Sequence, residues 1–165
     1  KWKGKAVESV PEFGLMLTLP AEYRNVAYYG MGPGETYSDF TSGAHMGLFG
    51  FDAHTALQPY FNPQESGART GVQAAAVNDA AGFGLCLAGN GFMLSALPYT
   101  PHEVENARRQ YELPPKVKTV VRCAKGQLGV AGDNTWGAGP HAEYHVALEK
   151  GETFRFTFGG MGGNG

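Results

Sequence analysis

Cysteine is scarce in this chain, with Cys86 and Cys123 the only two in 165 residues. Both lie inside apolar runs, Leu85-Cys86-Leu87 and Val121-Arg122-Cys123. They are expected as buried thiols acting as small hydrophobes; a disulfide between them would require neighbouring strands. Charge of one sign is missing too. Thirteen Lys and Arg against 15 Asp and Glu leave a net charge of -2, so there is no basic stripe and no nucleic-acid partner is expected. No apolar run approaches the ~20 residues of a membrane span, which argues against a membrane partner. Lys1-Trp2-Lys3-Gly4-Lys5 leads into a strand rather than a signal-peptide core. The chain begins without Met and in mid-pattern, so it is expected to be a segment of something longer. Phosphate-binding and nucleophile motifs are lacking as well. The glycines of Gly30-Met31-Gly32-Pro33-Gly34 miss the dinucleotide spacing and precede no helical pattern. No Ser or His sits in an elbow motif.

Glycine and proline are plentiful, at 25 and 10 residues, and apolar content is 42%. Together they predict a single globular domain over 1–165 in which many turns separate short strands. Phe13, Leu15, Leu17 and Leu19 alternate with Glu12, Gly14, Met16 and Thr18, the period of a half-buried strand. Further strands are predicted at Asn25–Met31, Thr70–Val77, Lys116–Cys123 and Thr153–Phe158. Phe83–Leu87 and Phe92–Ala96 suggest a hairpin around Ala88-Gly89-Asn90-Gly91. Ser42–Tyr60 predicts loop with at most a short strand, and Gly159–Gly165 a frayed tail. One helix is announced near 101–112 by Thr100-Pro101-His102-Glu103, which supplies a cap, a proline at the first position and a capping-box acid. Val104, Ala107, Arg108 and Tyr111 then share a face before Pro114-Pro115. The fold class predicted is all-β, an antiparallel β-sandwich.

The stretch Gly126–Val146 carries most of the functional signal. Strand-like pieces at Gln127–Ala131 and Ala142–Leu148 flank a loop of Gly132, Asp133, Asn134, Gly137, Gly139 and Pro140 that holds one very large residue, Trp136. An indole at such a tip is either folded back as a plug or presented to a ligand. As a platform it would stack on the C–H face of a sugar ring, with Asp133 and Asn134 bonding hydroxyls or closing the turn. Residue type leaves both open, and the small Gly137, Ala138 and Gly139 tilt the reading outward. His141, Glu143 and His145, at i, i+2 and i+4, would share one face of a strand and can hold zinc. A hydrogen-bonding edge face is the commoner outcome of that spacing, and no metal site is assigned. The carboxylates, scattered from Glu12 to Glu152, show no marked pair for glycoside hydrolysis.

Gln127-Leu128-Gly129-Val130-Ala131-Gly132-Asp133-Asn134-Thr135-Trp136-Gly137, continuing to Pro140-His141-Ala142-Glu143-Tyr144, resembles the C-terminal domain of the family 2 β-galactosidases, the small subunit of heterodimeric members. Gly30 to Asp39 is similar to the family's glycine–proline–acid–tyrosine–aspartate stretch. Pro63-Gln64-Glu65-Ser66-Gly67-Ala68-Arg69 is similar to its Pro-Gln-Glu turn, and Tyr99 to Leu113 to its capped helix. The likeness runs from Phe13 to Phe158. It implies a supersandwich, galactose-mutarotase-like fold, of which this chain is the C-terminal half. It also implies that the catalytic glutamates and the Mg and Na ligands lie on another domain, with none in this chain. Expected partners are the rest of the β-galactosidase chain or its large subunit, together with lactose or another β-galactoside. Trp136 matches the tryptophan that stacks on the aglycone sugar. Glu35, Asp39, Glu65, Arg69 and His141 are carried over as structural residues of these motifs. The chain departs from the pattern at Asn134 and Thr135, where an acid and a serine are usual, and at Phe40 and Ala68. Two other readings remain: a mutarotase-like aldose epimerase using a His/Glu pair, and a purely structural interaction domain.

Overall fold

The computed structural model describes residues 3–134 and 136–162. It is all-β and antiparallel, as expected. Its elements run β1 (Val7–Val10), β2 (Glu12–Pro20), β3 (Asn25–Gly32), β4 (His45–Asp52), β5 (Ala68–Asn78), β6 (Gly84–Leu97), α1 (Pro101–Asn106), β7 (Lys118–Gln127), β8 (Val146–Leu148) and β9 (Phe156–Met161). Seven strands form one sheet in the order β2-β7-β6-β5-β3-β4, with β9 also paired to β6, while β1 and β8 make a separate two-stranded sheet. The main core gathers on one face around Tyr28, Val72, Val77, Leu87, Phe92, Leu94 and Val121, and a smaller cluster of Tyr37, Ala68, Met93 and Ala124 lies on the other. Period-2 alternation explains why: in β3, Val26 and Tyr28 are buried and Ala27 and Tyr29 are exposed.

Several expected elements come out differently. The hairpin at Ala88–Gly91 is one continuous strand of 14 residues. A type I′ hairpin turn needs two successive residues at positive φ, whereas here Gly91 alone has a left-handed φ, +71°, and the chain continues extended on either side. The result is a bulge, seen as register shifts against β5 around Val72. It lets β6 keep β5 on one edge while its other partner changes from β9 at Gly84–Gly89 to β7 at Met93–Leu97. The weak stretch 42–60 contains the full strand β4. Its Phe49 and Phe51 lie 5.7 and 6.0 Å from the Tyr28 ring, while Gly47 and Gly50 mask the alternation in the sequence. The tail is no fray at Gly159–Met161, which pair with Cys86 to Gly84 in β9; residues 163–165 lie outside the described residues.

The helix has its predicted start. Thr100 caps it, with the Thr100–Glu103 capping box complete and Pro101 at the first position. It ends at Asn106, well before Pro114. The peptide N–H of Arg108 is taken by the Glu112 carboxylate at 2.7 Å instead of a helical carbonyl, and a separate 3-10 turn follows at Gln110–Glu112. Val104 and Ala107 are buried but Tyr111 is exposed. Cys123 is buried as expected and Cys86 is not, because Cys86 points to the open face of β6; both thiols are free.

Candidate functional site

The loop after β7 is built from donors that leave the sheet. Leu128 still donates to Pro11 O at 2.9 Å and Gly129 to Tyr144 O at 3.3 Å. The next two peptide N–H groups, of Val130 and Ala131, instead meet the Asp39 carboxylate, at 3.0 and 2.7 Å. The expected strand over Gln127–Ala131 therefore stops at Gln127. Asp39 comes close because position 129 has no side chain: a Cβ there would lie 2.3 Å from Asp39 Oδ2. Higher up, the two limbs of the loop touch, since a Cβ on Gly132 would lie 2.1 Å from the carbonyl oxygen of Ala138.

Trp136 stands at the head of this loop and is 91% exposed. Its peptide N–H donates to Asn134 Oδ1 at 2.8 Å, the side-chain turn closure expected of Asn. Thr135 lies outside the described residues. Asp133 bonds His141 Nε2 at 2.9 Å, tying the two ends of the loop together, and the Asp133 carboxylate raises the His141 pKa above its ordinary value. His141, Glu143 and His145 do not share a strand face, because Ala142–Tyr144 is a 3-10 turn. That turn splits their partners: His141 goes to Asp133 and His145 to Pro140 O at 3.2 Å. Among the described residues no three of His, Cys, Asp and Glu converge on a point where an ion would fit.

Beneath the loop lies a buried ion-pair relay that sequence reading missed. Arg122, 5% exposed, donates to Glu12 at 2.8 Å and to Glu65 at 2.5 Å. Glu65 also accepts from the hydroxyl of buried Tyr37 at 3.2 Å. Burial raises the carboxyl pKa of Glu12 against the pull of Arg122, and burial pushes the Tyr37 phenol far up. The available signal was an arginine among the apolar residues of Thr119-Val120-Val121-Arg122-Cys123-Ala124, a position where charge demands a partner. Glu35 accepts from Gly67 N at 2.6 Å and from the Tyr60 hydroxyl at 3.1 Å. Arg69 donates to Tyr28 Oη and to Ala68 O, with its guanidinium 4.9 Å from the Phe51 ring centre. The loop stem separates two clefts and Val130 lines both. One, of about 490 Å³, is lined by Glu12, Met16, Arg122 and Leu128; the other, of about 290 Å³, by Glu35, Phe40, Tyr60 and Ala131.

The site thus presents an exposed indole on a braced, glycine-rich loop above two clefts, carried by an antiparallel sheet. The family model for the β-galactosidase small chain matches residues 1–159. The chain belongs to the β-galactosidase small-chain family. A β-galactosidase of Halalkalibacterium halodurans is 39% identical over 157 residues, which make up 94% of this chain and 15% of that protein. A β-galactosidase of Streptococcus thermophilus is 36% identical over 160 residues, again 15% of its length. A β-galactosidase small subunit of Latilactobacillus sakei is 29% identical over 160 residues, or 50% of that subunit. The chain thus spans only a small part of the large relatives. Among the described residues, Glu35, Asp39, Glu65 and Arg69 each meet a partner on another segment, whereas the hydrogen bond of Trp136 runs from its backbone to its own loop.

Proposed function

We propose that this chain is the non-catalytic C-terminal sandwich segment of a β-galactosidase that hydrolyses terminal β-galactosides such as lactose, and that Trp136 is its aglycone platform. The carrying observation is the indole, 91% exposed at the head of a loop gripped at its stem by Asp39 and closed on itself by the Asp133–His141 pair. A side chain folded back as a plug would be covered. An open π-face can stack on a pyranose, and Asp133 and Asn134, spent on His141 and on the Trp136 peptide, support the loop rather than the sugar. The two catalytic glutamates and the Mg and Na sites then belong to another domain of the same enzyme or to its large subunit. The open face of the sheet, where Leu48 is 78%, Tyr29 43% and Met46 40% exposed, is apolar enough to make the domain contacts this role requires.

One platform supplies few of the contacts of a tight site, so titration of lactose onto the isolated chain should give at best an affinity in the millimolar range, ~4 kcal/mol or less. In the intact enzyme, Trp136→Ala should raise KM for lactose more than it lowers kcat; unchanged lactose kinetics would remove the platform role. The rival reading is a mutarotase-like epimerase. His141 does face a carboxylate, that of Asp133, yet their side chains are 58% and 74% exposed on a loop rather than set in a concave sheet. Polarimetry of anomer interconversion by the chain alone decides against it if no rate above buffer is seen.

A further inference from the structure

We infer that Asp39 is a positioning residue for Trp136: by gripping the loop stem it sets where the indole stands, and so sets sugar affinity without touching sugar. This rests on the platform reading of Trp136. Asp39 lies on a tight turn in which Tyr37 and Phe40 exchange both backbone hydrogen bonds, each 3.1 Å. That turn is rooted in the sheet, because Tyr37 is 2% exposed and its hydroxyl is bonded to Glu65, itself held by Arg122. From this fixed point the carboxylate takes two successive peptide N–H groups, one on each oxygen. Both bonds are charge-assisted, and together they fix the stem's rotation as well as its place.

Position 129 supports the same conclusion independently. The Asp39 carboxylate fills the space a side chain at 129 would need, so the stem and the turn are fitted to one another. Below the grip, the loop root is held by the hydrogen bonds that Leu128 and Gly129 N–H donate to Pro11 O and Tyr144 O; above it, by Asn134 and the His141–Asp133 pair. The upper contacts close the loop on itself and fix nothing relative to the sheet. Among the described residues between Gly129 and Trp136, Asp39 is the contact that ties the loop to a segment rooted in the sheet.

The test is a kinetic cycle in the intact enzyme with lactose, using Asp39→Ala, Asp39→Asn, Trp136→Ala and the Asp39→Ala/Trp136→Ala double variant. Asp39→Ala should raise KM about threefold to tenfold with kcat nearly unchanged, and Asp39→Asn, which keeps one acceptor oxygen, should fall between it and the parent. In the Trp136→Ala background Asp39→Ala should add nothing. Gly129→Ala, which leaves every functional group in place but crowds the carboxylate, should reproduce the Asp39→Ala pattern and carries the test if Asp39→Ala does not fold. If Trp136→Ala alone leaves KM unchanged, the platform reading fails and this inference with it. If Trp136→Ala raises KM while neither Asp39→Asn nor Gly129→Ala does, the platform stands and the positioning role is overturned. Fully multiplicative effects in the double variant would also overturn it, since Asp39 would then act by a route that bypasses Trp136.

Discussion

At the residue scale, charge is placed where backbone or opposite charge can answer it. Arg122 sits between Glu12 and Glu65 with its side chain 6% exposed, against 20% and 28% for theirs. Removing it leaves two half-buried carboxylates facing each other. Arg122→Met should destabilise the chain by about 2–3 kcal/mol, below the cost of breaking a fully buried pair because water reaches both acids; chemical denaturation checks it, and a loss under 1 kcal/mol would show the relay to be incidental. His141 gives a pH dependence. Its folded pKa is raised by Asp133, so the loop closure it provides is complete below the ordinary histidine value of 6.5 and is lost as pH rises through the raised value. KM for lactose should climb over that alkaline limb, and His141→Gln should flatten the profile. The thiols separate cleanly as well. Burial pushes Cys123 up to about 12 while Cys86 is exposed, so a maleimide at pH 8 should label Cys86 alone until denaturant is added.

Elements follow local signals where those signals are side chains, and depart from them where glycine stands in for a side chain. The helix start was readable because a cap needs specific groups at specific spacings, and Thr100 and Glu103 bond reciprocally as that spacing demands. Thr100→Ala should therefore cost about 1 kcal/mol, seen as a drop of about 2–4 °C in thermal midpoint for a chain of this size. Its end was not readable, since the Glu112 carboxylate that diverts the Arg108 peptide depends on the path of the chain beyond the helix. The Gly-rich strand β4, the Gly159–Met161 half of β9 and the continuity of β6 were hidden for one reason. Glycine at a strand position resembles a turn in sequence, and only cross-strand pairing shows that its backbone is extended. The loop itself was legible as a small-residue setting around Trp136. Its fastening to Asp39, 91 residues away for Val130, is a tertiary fact, as is the meeting of Arg122 with Glu12 across 110 positions.

For the whole molecule, one face of the seven-stranded sheet is packed, while the other is covered at β6 and β7, where Met93, Val120, Arg122 and Ala124 are buried, and open at β3, β4 and the start of β6. Tyr29 lies beside Leu48 and Met31 beside Met46, while Cys86 lies beside Gly159 on the same open side. If this face meets the rest of the enzyme, Cys86 should be labelled in the isolated chain and protected in the assembled enzyme, and Leu48→Asp should fold alone yet fail to assemble. Equal labelling in both states would place the contact elsewhere. The loop bearing Trp136 would then be carried as a rigid attachment to the reaction site, holding sugar whose bond is cleaved by groups on another domain. The most direct test is the lactose kinetics of the intact enzyme with tryptophan, phenylalanine and alanine at position 136. The account predicts that KM rises in that order while kcat changes far less, because each step removes stacking surface and leaves the chemistry alone. Identical KM for all three would contradict it.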